Sequence, residues 1–376
     1  MNFTGHYSLP YLFGGMWIAI WWAAAFYGFS SNPNFSLIPP QDLAPMDATL
    51  NRVQLQKALQ GDVAVIEALL IKWHLKTQAL KEEGISPTYQ LETSELLEAL
   101  LLSEILGKTD EKPPQKFLAQ TYPSACFLLS LLLPNNITAI PDGFQHQTQF
   151  YDSSFLEKIP LNRSLFSLEA LWKAKPAAAF ISPYSNPAFV SALHRLQIPC
   201  LLLPHAYQIK QVENVLQTIG FYTASSRKAK LLSLFMKAAL HAIDTKISEA
   251  YFRAKKNLHS LKPLLLFHHL QFTAAAKHTL AGEFMDRLRF QNFTHSSITS
   301  ESLKKLDPDL LIIASQNGET SQRELTHLPL FTVLKVAKLN RIFWVDSSVQ
   351  QSASQFCVLA YYDLACPIIA CISEER

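Results

Sequence analysis

The sequence predicts an α/β protein built as two parallel-sheet lobes joined by a single long helix, with an N-terminal hydrophobic anchor and a small helical unit ahead of them. Three observations carry this expectation. Short apolar runs alternate with helical patterns over 113–223, the rhythm of a parallel sheet covered on both faces. The same alternation returns over 262–376. Between them, 224–261 holds one helical period with no strand-like break.

Composition bounds the function. The chain has 376 residues, with 33 Lys+Arg against 30 Asp+Glu and a net charge of +3. So small an excess, not gathered into a block, gives no footprint for a nucleic acid. Hydrophobic residues at 49% and charged residues at 17% exclude a disordered chain. Glycine is scarce at 11 residues, and neither GxGxxG nor GxxxxGK[ST] occurs, so a glycine-rich phosphate loop is excluded.

The elements follow in order. Residues 1–30 read as a signal or membrane anchor: Tyr11 to Phe29 carry no charge. As a helix that stretch would be about 28 Å long, close to the thickness of a bilayer core. Gly28-Phe29-Ser30 offers a weak cleavage site, but no Lys or Arg precedes the segment, so cleaved signal and retained anchor both stand, beside the plainer reading of a buried core helix. Signal and anchor alike would place 31–376 across a membrane. Residues 31–112 form a linker and helical unit. Ser30 to Pro45 is rich in Pro, Asn and Ser. Asp47 is expected to cap a first helix, Asp62 a second after Gly61, and Thr93-Ser94-Glu95 to open a third.

Lys112-Pro113-Pro114 opens the N-terminal lobe, 113–223. Its strands are expected at Phe117–Gln120, Ile137–Ile140, Ala177–Ile181 and Cys200–Leu203. The linking helix, 224–261, has apolar positions from Leu231 through Phe235, Ile243 and Tyr251 to Leu258. The C-terminal lobe, 262–376, has strands expected at Leu264–His268, Leu310–Ala314 and Ile342–Val345, then a helix over Ser352–Ile369. The five cysteines are odd in number and mostly sit in apolar runs, which reads as buried thiols; Cys366 and Cys371 alone are spaced to pair. No HExxH, HxH or CxxC is present, and no nucleophile-elbow glycine pattern surrounds Ser182 or Ser315, so neither a metalloenzyme nor a hydrolase is expected.

Several segments fall in the order seen in one known family. They are Leu118 to Leu131 (strand, loop, helix), Ser167 to Ser182 with Lys175-Pro176 before a strand, Leu196 to Leu203 with Ile198-Pro199, and Ser300 to Ile313 with Asp307-Pro308-Asp309. Over about 116–376 the chain resembles the periplasmic substrate-binding proteins of ABC importers for iron–siderophore complexes, haem and vitamin B12, the class whose two lobes are joined by one long helix. Pro176-Ala177 departs from the Pro-Asp of that pattern, and 47–107 has no counterpart in it.

The resemblance implies a binding protein, not an enzyme. It would capture an iron chelate, haem or a corrinoid between the lobes as transported ligand and deliver it to a membrane permease. Ligands of such folds meet the loops just past the strands. Those positions hold Thr121, Tyr122 and Ser124; Asp142 and His146; Ser182 and Tyr184; His205 and Tyr207; then His268 and His269; Ser315 and Gln316; and Asp346. The best candidates are Tyr122, Ser124, Tyr184, His205 and His268 or His269, because phenolate and imidazole ligate iron. In an extended strand at most one of His268 and His269 faces the cleft. Arg163, Arg195 or Lys210 would meet an anionic chelate. Glu169 and Glu301, one per lobe in similar contexts, match the acids that contact permease arginines; each also reads simply as a first-turn glutamate favouring the helix dipole. A second reading is a membrane-anchored scaffold that keeps the fold without capturing ligand.

Overall fold

A computed structural model describes residues 50–85, 91–108, 115–141, 143–144, 149–159, 168–255, 261–268, 272–288, 298–316, 331 and 334–374. The chain opens with α1 (Arg52–Leu59), α2 (Val63–Glu82) and α3 (Thr93–Lys108). The first lobe follows: β1 (Phe117–Ala119), α4 (Tyr122–Leu131), β2 (Ile137–Ala139), α5 (Leu168–Ala174), β3 (Ala178–Ile181), α6 (Pro187–Arg195), β4 (Cys200–Leu202) and α7 (Ile209–Tyr222). The linking helix α8 is Ser226–Arg253. The second lobe contains β5 (Pro263–His268), β6 (Phe272–Ala274), α9 (Leu280–Leu288), α10 (Ser300–Leu306), β7 (Leu310–Ser315), β8 (Ile342–Asp346) and α11 (Cys357–Glu374).

Each lobe is built on its own sheet. The first has the order β2-β1-β3-β4 with every pairing parallel. The second has the order β6-β5-β7-β8, parallel except for β6 against β5. Strand β7 is buried at all of its positions, which is why it reads as a continuous apolar run. The edge strand β6 escaped the sequence reading because Phe272-Thr273-Ala274 is too short to show a period.

Helix α8 runs unbroken through 240 for 28 residues, about 42 Å. It stops before the expected Leu258, because Lys255 turns to the left-handed φ of 52° just past its end. The C-terminal helix starts at Cys357, later than the expected Ser352. Asp346 caps a separate turn at Ser347–Gln350 first, with its side chain accepting from the Ser348 N–H at 2.7 Å. Linking helix and second lobe are joined by a buried knot: Arg287 of α9 donates to Asp244 of α8, and so does the Tyr361 hydroxyl of α11.

The helical unit is not an appendage. Asn51, rather than Asp47, caps α1 through a 2.8 Å bond from the Val53 N–H; Asp47 lies outside the described residues. Asp62 caps α2 as expected. Gly61 carries φ +89°, and a Cβ there would sit 2.2 Å from the Ser130 carbonyl, so the α1–α2 turn is pressed onto α4 of the first lobe. Gln60 Nε2 donates to the Phe150 carbonyl at 2.5 Å. The Leu59 carbonyl accepts from Ser130 Oγ at 2.8 Å and from Gln355 Nε2 of the second lobe at 3.4 Å. Arg52 grips Asp363 of α11 at 2.8 and 3.1 Å. Trp73 of α2 stacks on Phe235 of the linking helix at 5.4 Å, and Lys237 reaches Glu95 of α3 at 3.1 Å. One apolar core therefore runs through the unit, both lobes and α8.

All five thiols are free, Cys366 and Cys371 included. Burial pushes Cys126 up to about 12, away from reactive thiolate chemistry. Among the described residues no helix is long and apolar enough to cross a membrane; Tyr11–Phe29 lies outside them.

Candidate functional site

A cleft of about 320 Å³ opens at the carboxyl ends of β1, β3 and β4. Its walls are Gln120 to Ser124 after β1, Ser182 and Tyr184 after β3, and Leu203 to Ala206 after β4, with Ala353 of the second lobe. Three parallel strands ending together bring these loops to one place, as doubly covered sheets do. No Asp, Glu, Lys or Arg is among the described residues lining it.

The β1 loop is held by a capping box. Thr121 Oγ1 accepts the Ser124 N–H at 3.3 Å and Ser124 Oγ accepts the Thr121 N–H at 3.1 Å. Ser124 is fully buried and its hydroxyl also donates to the Thr121 carbonyl at 2.8 Å. It therefore shapes the cleft floor and has little capacity left for a ligand. Tyr122 is partly exposed and stacks on Phe144 at 5.5 Å, which fixes its ring at the mouth.

The β3 loop turns on serines. The Ser182 N–H donates to Ser185 Oγ at 2.8 Å, Ser185 Oγ donates to Gln120 Oε1 at 2.7 Å, and the Tyr184 N–H meets Ser182 Oγ at 3.2 Å. These bonds tie the β3 loop to the β1 loop and leave Tyr184 76% exposed. Beside it, the His205 ring lies edge-on to Tyr184 at 6.2 Å and 4.5 Å from Tyr207. The Tyr207 N–H is anchored by Gln211 Oε1 at 2.7 Å. The neighbouring Tyr184 phenol pushes the Tyr207 phenol above its ordinary range.

The structure thus brings Tyr122, Ser124, Tyr184 and His205 to one cleft, with Thr121 and Ser182. His268 is elsewhere. It pairs with Phe272 across the β5–β6 hairpin, ring against ring at 4.8 Å, and it does not line this cleft. His269, Asp142, His146 and Arg163 lie outside the described residues. Ser315 is buried at the end of β7, and Gln316 is exposed just past it. Asp346 bridges the lobes by accepting from Gln149 Nε2 at 2.6 Å. Lys210 points to Glu213 at 3.2 Å, and Arg195 is exposed in the last turn of α6; neither lines the cleft. Gln120 and Ala353 were missed. Gln120 had a signal, as the last residue of an expected strand; Ala353 had none.

Glu169 and Glu301 have matching surroundings. Each lies in the first turn of a seven-residue helix, is 75% and 80% exposed respectively, and pairs with a lysine four residues on: Lys173 at 2.7 Å and Lys305 at 3.0 Å.

No protein-family model matches the sequence, and no curated protein matches it. Solved structures do. A possible iron-binding (periplasmic solute-binding) protein from Staphylococcus epidermidis superposes with a TM-score of 0.54 at 17% identity, over 68% of this chain and 99% of that one. The periplasmic haem-binding protein HutB of Vibrio cholerae gives 0.54 at 14% identity, over 67% and 97%. The siderophore-binding protein BauB, solved with two acinetobactin molecules and ferric iron, gives 0.50 at 16% identity, over 69% and 94%. With its two sheets, its single linking helix and a cleft at the strand ends, the chain has the fold of the periplasmic iron-, haem- and siderophore-binding proteins of class III ABC importers.

Proposed function

We propose that this protein is the extracytoplasmic substrate-binding component of an ABC importer, and that it captures an iron chelate, haem or a corrinoid in the cleft at the ends of β1, β3 and β4. The observation that carries the reading is the convergence of Tyr122, Tyr184 and His205 on one open cleft. An uncharged wall of aromatic rings suits the flat apolar face of a macrocycle or an aromatic chelate. Phenol and imidazole add axial donors for iron. The long, deeply buried α8 and the bonds between lobes support small closing movements.

Delivery would use Glu169 and Glu301. Both are exposed, one on each lobe, and rim charges of this kind set association rate and register with a basic partner. Tyr11–Phe29 would hold the chain at the membrane or direct it across. The scaffold reading is favoured by one observation, the helical unit packed across both lobes.

Titration separates the two. Trp172 is exposed on the first lobe, and added haem, ferric siderophore or cobalamin should quench tryptophan emission saturably at one equivalent. Tyr122→Ala/His205→Ala should weaken the responding ligand at least about tenfold, a loss of about 1.4 kcal/mol. An unsaturable response to the whole panel would leave the scaffold reading standing.

A further inference from the structure

We propose that Glu283 latches the second lobe onto the helix that carries one wall of the cleft, and so sets how far the lobes part and how long a ligand stays. The proposal rests on the reading of this cleft as the capture site and adds a positioning residue to it.

Helix α7 starts without a cap of its own, since the Gln208 side chain makes no capping bond. The start of any helix leaves backbone N–H groups with no partner inside the helix. The first of these in α7, the Ile209 N–H, donates to Glu283 Oε2 at 2.7 Å. Glu283 lies in the first turn of α9, on the other lobe. A carboxylate placed there also meets the positive end of the α7 dipole. Charge-assisted bonds of this kind are about twice as strong as neutral ones. Burial pushes the Glu283 carboxyl up, while the Ile209 N–H and Arg287 pull it down.

The bond is held stiffly at both ends. Thr279 Oγ1 caps α9 by accepting the Gly282 N–H at 3.1 Å, one residue before Glu283. A Cβ on Gly282 would sit 2.2 Å from the Ala276 carbonyl, so the start of α9 is pressed onto its own loop. On the other side Ile209 is buried, and the Tyr207 N–H is fixed to Gln211 Oε1 of the same helix at 2.7 Å. The loop runs straight back to Leu203–Ala206, which with Val215 of α7 line the cleft. A shift at Glu283 therefore reaches the His205 wall through a few residues of chain.

Other bonds pin the lobes elsewhere. Gln149, past β2, donates to Asp346 of the second lobe at 2.6 Å, and Gln355 of the second lobe donates to Ser130 of α4, the helix after β1, at 2.6 Å. Glu283 holds the helix that follows β4, at the opposite edge of the sheet order β2-β1-β3-β4. Parting of the lobes at the His205 side thus requires this bond to break.

The test compares four full-length chains: wild type, Glu283→Ala, Glu283→Gln and Glu283→Ala/Gln208→Asp. The last gives α7 a cap from its own chain, without a bond to the second lobe. Spin labels on the exposed positions Lys173→Cys and Lys304→Cys, in a Cys200→Ala background, read the lobe separation with no ligand present. Glu283→Ala should broaden the separation and speed exchange of the Ile209 amide at least about tenfold. Glu283→Gln, whose amide oxygen still accepts, should stay close to the wild type. Glu283→Ala/Gln208→Asp should recover the melting temperature but keep the broad separation. Recovery of both overturns the proposal, because Glu283 would then be a helix cap and nothing more. So does a Glu283→Ala chain whose separation is unchanged. Haem loaded on each chain and chased with apomyoglobin should leave Glu283→Ala at least about tenfold faster than the wild type. Equal release despite a broader separation overturns the role in retention. Failure of haem to load on the wild type counts against haem as the captured ligand, and the separation alone then decides the latch.

Discussion

Arg52→Met should lower the stability of the whole chain by about 3–5 kcal/mol, because it strands a buried carboxylate. Asp363 is 4% exposed and takes both of its close contacts from Arg52, at 2.8 and 3.1 Å. Burial pushes the Asp363 carboxyl above the ordinary range, and Arg52 pulls the other way. Arg52→Met/Asp363→Leu should recover most of the loss, since a buried pair replaced by apolar groups of similar volume is often neutral. The pH dependence has a definite sign. A carboxyl raised in the folded state contributes stability at low pH and loses it as pH rises through its folded pKa. Removing Arg52 raises Asp363 further, so the deficit of Arg52→Met should shrink on acidification. Urea unfolding of both variants at neutral and acid pH measures this. A single variant as stable as the wild type would mean that the helical unit is not held to the second lobe by this pair.

Glu169→Arg/Glu301→Arg should abolish import while leaving ligand affinity within about twofold, a difference below 0.5 kcal/mol. The first-turn glutamates pair with Lys173 and Lys305 across highly exposed surface, and such ion pairs contribute about 0–1 kcal/mol. Fold and cleft should therefore survive the reversal. Uptake by cells, compared with titration of the purified variant, separates docking from capture. Normal import by the double variant would leave both residues with only the helix dipole as their role.

Strands β3 and β7 were legible because they are buried at every position and appear in the sequence as uninterrupted apolar runs. The linking helix was legible because 224–253 sustains one period with no breaker. Tyr122, Tyr184 and His205 followed from strand ends alone, since a parallel sheet gathers those ends on one side. What a side chain does there was not legible. Ser124 turned inward because Thr121 could close a capping box with it, and nothing in the run Thr-Tyr-Pro-Ser fixes that outcome against a ligand contact. His268 was drawn away by Phe272, whose strand was too short to foresee. The place of the helical unit was hidden for a different reason. Arg52 and Asp363 are 311 positions apart, and no local pattern carries a contact over that distance.

Native mass spectrometry of the full chain, purified from its own cells and then offered haem, ferric siderophores and cobalamin, decides whether the cleft captures a metal-bearing ligand. One equivalent of an iron- or cobalt-bearing ligand is expected, lost from the chain carrying Tyr122→Ala, Tyr184→Phe and His205→Ala together. A bare mass from the cell and after every addition, from a chain that melts cooperatively, would contradict it.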